Sequence, residues 1–268
     1  MIIGLVLSFI FGSIIGSFLN VLILRLPVEK TLNGRSHCMQ CKHQLNALDL
    51  VPILSFVFLR GKCRYCKKPF SHRYFYIEVI TGLLFALCFA KLFPINSLEY
   101  LILLKSFFIS AVLMVVFMID YEHFLILDKV VIFASVVLIL FNLAIDIALH
   151  SLWFNSLTLN GLLAALGLFL FFGGLYYISK GRWIGFGDVK FSFVLGLATV
   201  FPIIVINILL AFMIGSVVGL VLMASKTKKL QSEIPFGTFL AISCMITVLY
   251  GSELINWYLR LIGVRIYV

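Results

Sequence analysis

Two carboxylates and two cysteine pairs are the groups in this chain whose types and placement could do chemistry. Asp120 closes the apolar run Ala111–Ile119, and Asp188 ends the turn Gly185-Phe186-Gly187-Asp188 ahead of another apolar stretch. A charge held at a hydrocarbon span costs at least a few kcal/mol on insertion scales, so an acid kept there calls for a reason. Two acids at one depth, on helices that can be neighbours, can share a proton and activate a water between them. The ionised one then serves as general base while the protonated one polarises a scissile carbonyl, which is the arrangement an aspartic protease uses. The same acids could instead form the proton relay of a coupled transporter. Asp128 is a weaker partner for Asp120: a helix rising 1.5 Å per residue would hold the two about 12 Å apart, though an unwound segment would relax that limit. The glycines before Asp188 allow an irregular backbone and close approach of a substrate strand. Glu78, Glu99, Asp146 and Glu253 fall at span ends, where a solvated head group is the expected state.

Four of the six cysteines form Cys38-x-x-Cys41 and Cys63-x-x-Cys66, with twenty-one residues between the pairs. Each CxxC turn lets two sulfurs converge on one metal, and two such turns complete a tetrahedral four-cysteine zinc site. With all four positions filled by protein, the metal would hold the loop together and perform no chemistry. Paired cysteines in a membrane protein could also form a disulfide relay, but a cytosolic location disfavours stable disulfides. The nearby Lys42, Arg64, Lys67 and Lys68 would offset the excess charge of a tetrathiolate. Cys88 and Cys244 lie inside apolar spans and read as core residues.

The elements that must position these groups follow from composition. With 268 residues, 63% of them hydrophobic, 27 phenylalanines and only 12% charged, most of the chain must sit in lipid. The expected fold is an all-α polytopic membrane protein of about eight transmembrane helices, near residues 2–25, 75–93, 98–119, 129–149, 157–179, 190–204, 205–224 and 236–259. The sixth is short, and Pro202 marks its end or a kink. The apolar runs are continuous, which excludes a transmembrane β-barrel. Ile2–Leu24 has no basic residue before it and no small-residue cleavage site after it, so it reads as an anchor, not a removed signal.

The loop Leu26–Arg73 carries Arg35, Lys42, Arg60, Lys62, Arg64, Lys67, Lys68 and Arg73 against Glu29 and Asp49, which makes it cytoplasmic by the positive-inside rule. Counting spans puts the breaks Asp120–Lys129, Lys180–Lys190 and Lys226–Glu233 on the same side and both termini outside, with Arg260 and Arg265 arguing mildly the other way for the C-terminus. The net charge of +10 therefore reports orientation and not a nucleic-acid partner. Residues 1–25 form the first transmembrane helix, 26–73 the cytoplasmic four-cysteine loop and 74–268 the membrane core. Gly12/Gly16 and Gly215/Gly219 are GxxxG pairs that let helices approach closely.

Taken in order, Gly16-Ser17-Phe18-Leu19-Asn20-Val21, Arg25-Leu26-Pro27, the double CxxC loop, Arg73-Tyr74 with Glu78, Ile119-Asp120, Gly187-Asp188-Val189-Lys190 and Ile234-Pro235-Phe236-Gly237 resemble the prepilin peptidases. These are also called type IV leader peptidases, within the GxGD class of intramembrane aspartic proteases. The resemblance spans nearly the whole chain and implies that Asp120 and Asp188 are the catalytic dyad, with Gly185, Gly187, Lys190 and Asp128 supporting them, and that the four cysteines bind structural zinc. It further implies a bacterial cytoplasmic (inner) membrane enzyme, its site toward the cytoplasm, that cuts basic leaders from pilin or pseudopilin precursors. Methylation of the new N-terminus with S-adenosylmethionine is carried by the resemblance alone. Two departures stand out: Ile126-Leu127-Asp128 replaces the usual Leu-Pro-Asp, and Thr238 stands where proline is common after Phe-Gly. The resemblance favours the protease over the transporter, which would be expected to show repeated halves. It also favours it over a thiol-redox enzyme, which would need its cysteines on the outer face.

Overall fold

The computed structural model describes residues 1–151, 156–225 and 235–261; the basic break Lys226–Glu233, together with Ile234 and Arg265, lies outside the described residues. In lipid the backbone must satisfy its own hydrogen bonds, and continuous apolar sequence therefore folds as helix. Nine α-helices result among the described residues: α1 Ile2–Arg25, α2 Leu54–Phe58, α3 Arg73–Leu92, α4 Ser97–His123, α5 Asp128–Leu149, α6 Leu157–Ser179, α7 Phe186–Thr199, α8 Ile203–Ala224 and α9 Phe236–Leu261. Seven of them, all but α2 and α7, are long and apolar enough to cross a membrane. They leave large apolar side chains such as Phe133, Leu170 and Met213 exposed, as a lipid-facing surface requires. The protein is a multi-pass membrane protein.

The expected sixth span is a helix, but a short one. At 1.5 Å per residue α7 is about 21 Å long, less than the roughly 30 Å of a hydrocarbon core. It is the buried centre of its part of the fold, with Val189, Phe191, Leu195 and Leu197 sealed from solvent. As Pro202 predicts, the chain turns just beyond it. The Asn160 side chain clamps that turn, accepting the Phe201 N–H at 3.1 Å and donating to the Phe201 carbonyl at 3.3 Å.

The chain divides into two compact units, Met1–Val115 and Val116–Val268, the division falling within α4. In the first, α1 packs along α3. A Cβ on Gly12 would lie 2.8 Å from the Thr81 carbonyl oxygen, and one on Gly16 2.9 Å from the Glu78 Cα, so this GxxxG pair works as a contact face. Phe85 and Phe107 stack beside it with centroids 4.2 Å apart.

In the second unit α7 packs against α5, α6 and α9. The closest approach is at Gly196, where a Cβ would fall 2.3 Å from the backbone of Ala165 in α6. Gly196→Ala must push these helices apart, and over-packing of this kind costs about 1–3 kcal/mol. Thermal unfolding in detergent should show the loss; an unchanged midpoint would mean that α6 and α7 have slack here. Buried amides add ties: the Asn142 side chain on α5 donates to the Leu197 carbonyl of α7 at 3.1 Å, and the Ser243 hydroxyl of α9 to Asn207 Oδ1 on α8 at 2.7 Å.

Two acids expected to be solvated at span ends are buried instead. Asp146, at the end of α5, accepts the N–H groups of Leu157 and Thr158 at 2.7 and 2.9 Å and the Thr158 hydroxyl at 2.6 Å. It thereby satisfies the unpaired donors that open α6. Glu78 accepts the Ile53 N–H at 2.8 Å. Hydropathy marks both positions as span ends but cannot report a backbone donor supplied from elsewhere in the chain.

Candidate active site and metal centre

Asp120 lies on the last turns of α4 and Asp188 on the first turn of α7. Both are buried, at 5% and 8% exposure. A backbone N–H fixes each carboxylate. Thr238 N–H donates to Asp120 Oδ2 at 2.8 Å, and Gly185 N–H to Asp188 Oδ2 at 3.3 Å. Gly185 caps α7 with ordinary extended dihedrals, and Phe186 to Asp188 are already helical, so the Gly-Phe-Gly-Asp stretch enters a regular helix and is not an irregular loop. Asp188 thus sits at the positive end of the α7 dipole.

What the two glycines provide here is space for Ile126. A Cβ on Gly187 would lie 3.1 Å from the Ile126 Cβ; one on Gly237 would meet both Asp120 Oδ2 and Ile126 Cδ1 at 2.8 Å. Ile126, itself buried, therefore packs between the turn that carries Asp188 and the turn that holds Asp120. Of the residues around the pair, Gly237 stood in the sequence only as part of a motif and Thr238 only as a departure. Their contact with Asp120, 118 positions away for Thr238, has no local signal.

The chain does unwind after α4, so spacing alone does not remove Asp128. Its surroundings do: Asp128 has 62% of its side chain exposed and forms an ion pair with Lys190. Lys190 also lies 5.1 Å from the Phe186 ring centroid. This pair joins the start of α5 to the first turns of α7.

The four loop cysteines are all free thiols, and their sulfurs lie within 4.8 Å of one another. The two pairs share one backbone device. Cys38 N–H donates to the His43 carbonyl and Lys42 N–H to that of Cys38; Cys63 with Lys68 and Lys67 with Cys63 repeat the pattern, all four bonds at 2.8–2.9 Å. Lys42 and Lys67 take the positive φ values, 58° and 60°, that close each turn. Cys38 Sγ and Cys66 Sγ are 3.9 Å apart, against the edge of about 3.8 Å that follows from metal–sulfur bonds of about 2.3 Å in a tetrahedron. The donor set fits a soft, tetrahedral divalent metal.

Asp49 holds the second turn from the stretch between the two, taking the Arg64 Nε–H at 2.6 Å and the Tyr65 hydroxyl at 3.3 Å. Burial works to raise its carboxyl, but the Arg64 and Asn46 hydrogen bonds outweigh it and hold Asp49 below the usual carboxylate range. This contribution to the loop is present at neutral pH and is lost as pH falls through the lowered value.

Residues 10–92 match the Bacterial Peptidase A24 N-terminal domain, and residues 107–220 match the Type IV leader peptidase family. The chain is 30% identical to a prepilin leader peptidase/N-methyltransferase of Aeromonas hydrophila over 94% of its own length and 93% of that protein's. It is equally similar to the protein so named in Bacillus subtilis (strain 168), over 94% and 97%. With that of Legionella pneumophila it shares 29% identity over 93% and 92%. No solved structure matches the chain. On the family match, the full-length relatives and the buried acid pair, this chain belongs to the type IV leader peptidase family.

Proposed function

We propose that the protein is a prepilin leader peptidase of the bacterial inner membrane, working at the cytoplasmic face with Asp120 and Asp188 as its catalytic pair. The observation that carries this is the burial of both carboxylates beside Ile126, which packs against Gly187 and Gly237, in the region that matches the peptidase family. An ionised carboxylate takes a proton from a water between the two; the resulting hydroxide adds to the scissile carbonyl while the second carboxylic acid protonates the carbonyl oxygen. The tetrahedral intermediate then collapses as the first carboxyl gives its proton to the leaving amine and the second carboxylate takes one from a diol hydroxyl, so that the pair again holds one shared proton. Burial makes each of these charge interactions stronger than it would be in water.

The substrates are pilin-like precursors with basic leaders, and the new amine is the acceptor for methyl transfer from S-adenosylmethionine. When bound, S-adenosylmethionine would supply the methyl group and leave as a neutral thioether, the amine giving up a proton. Cys38, Cys41, Cys63 and Cys66 would hold a structural zinc that fixes the loop. The family gives the transporter reading no support.

Purified protein should release a leader peptide from a synthetic precursor, seen by mass spectrometry, and failure with several precursors under conditions that preserve the fold would refute the reading. Gly237→Ala gives a sharper test. Its Cβ displaces the Asp120 carboxylate, and a misplacement near 1 Å costs roughly 100-fold in rate. A variant that folds yet cleaves at the wild-type rate would show that the position of Asp120 is immaterial.

A further inference from the structure

The loop between α1 and α3 is fixed at both ends to helices long and apolar enough to cross the membrane, and part of it folds back beside the second of them. Ile53, the residue before α2, gives its N–H to Glu78 Oε2 at 2.8 Å. Glu78 lies past the first turn of α3, which starts at Arg73, so it is about 7.5 Å along that helix at 1.5 Å per residue. Ile53 is held at φ 62° and ψ −54°, a conformation that a β-branched residue keeps only where its surroundings over-determine it. The fold-back is therefore built in. Phe56 of α2 stacks on Phe75 with centroids 5.2 Å apart and meets the His72 ring edge-on at 5.6 Å. These contacts place α2 alongside the first turns of a span, the depth at which head groups give way to acyl chains.

The other side of α2 is apolar and exposed. Leu54, Val57 and Phe58 stand at i, i+3 and i+4, on one face of the helix, and are 53%, 56% and 80% exposed. Exposed apolar residues scattered singly are ordinary, whereas a contiguous group marks a contact surface. Two features of the surroundings say what covers it. Phe75 also meets Tyr76 at 6.0 Å, and Tyr76 heads the exposed row Tyr76, Ile80 and Leu83 along α3, so the face of α2 adjoins the lipid-facing side of a span. The sequence from Leu50 to Ile77 contains no acid, and the exposed Arg60, Lys62, Lys67 and Lys68 follow α2. Such a rim repels a basic peptide. It attracts an anionic lipid surface, by roughly fivefold in partitioning for each basic side chain.

We propose that α2 is an interfacial helix: Leu54, Val57 and Phe58 enter the acyl boundary of the adjacent leaflet, and the basic residues that follow lie among anionic head groups. In the orientation proposed above this is the cytoplasmic leaflet. Lipid then holds the loop at its middle as α1 and α3 hold it at its ends, which sets the height of the four-cysteine turns over the bilayer. The proposal does not depend on precursor cleavage.

The test is fluorescence quenching on the full-length protein in vesicles of phosphatidylcholine and phosphatidylglycerol. A small fluorescent amino acid replaces Phe58, and in a second variant Val57, so that one misfolded variant does not decide the result. Lipids with a nitroxide on the acyl chain should quench either label about as strongly as one at Leu83 of α3, while aqueous iodide reaches it roughly tenfold less than the free fluorophore, burial of one such side chain being worth about that factor. Nitroxide carried on phosphatidylglycerol should quench roughly twofold more than the same nitroxide on phosphatidylcholine, and Lys67→Gln with Lys68→Gln should narrow the difference. Free access of iodide without quenching by lipid puts α2 in water and overturns the proposal. Equal quenching by the two lipids in wild type overturns the assignment to anionic head groups. Loss of lipid quenching on adding excess precursor, with a benzophenone at Phe58 capturing that precursor, gives the face to the precursor and overturns the proposal as well.

Discussion

Asp120→Ala and Asp188→Ala each bring precursor cleavage down by roughly four orders of magnitude or more, to the uncatalysed background, because removing one member of a concerted catalytic set costs nearly as much as removing all of it. Asn at either position does nearly the same: it keeps the shape and the backbone N–H contact but can neither take nor give the proton. Folding survives in both cases, since each side chain accepts hydrogen bonds only from nearby backbone N–H groups among the described residues and forms no ion pair there that would be left open. Asp128→Asn is the contrast. Its side chain is exposed and pairs with Lys190, so cleavage should stay within several-fold of wild type, a surface pair being worth about 1 kcal/mol or less.

The second large effect is on metal. Cys38→Ser or Cys63→Ser removes a buried thiolate from a closed four-sulfur set, and the bound zinc measured per chain should fall from one to near zero, with the loop 26–73 becoming easily cut by protease. Structural zinc sites carry apparent binding free energies of about 10–16 kcal/mol, so the loop's order and its metal are lost together. Cys88→Ser, in the buried contact with Ser110, should keep the metal. Metal-free wild-type protein with fewer than six reactive thiols would instead favour the disulfide reading.

Much of this architecture is written in single stretches of sequence. Continuous apolar runs identify the seven long helices, and the CxxC spacing marks a loop whose repeated backbone turns follow from two short, similar segments. What stays hidden depends on distant partners. Residues 190–204 read as one short span, and hydropathy cannot tell that the helix there, α7, begins at Phe186 and is buried among other helices where a lipid-facing one would be exposed. Asp146 and Glu78 look like solvated ends until the donors of Leu157, Thr158 and Ile53 are brought to them. The same is true of the acid pair. Charge cost singles out Asp120 and Asp188 one at a time, while nothing local tells that Ile126 packs against both Gly187 and Gly237 beside them. The glycines before Asp188 suggested a loose backbone; their use in the fold is the opposite, a tight contact at the start of a regular helix.

The claim at the centre is that the two acids act as a unit, and a double-mutant cycle on single-turnover cleavage of one precursor tests it most directly. Rates are compared for wild type, Asp120→Asn, Asp188→Asn and the double variant over long time courses. A shared-proton pair predicts that the double variant is no slower than either single, all three at one residual rate. Substantial cleavage by either single variant, or losses that multiply in the double, would mean that the two carboxylates work independently and would contradict the account.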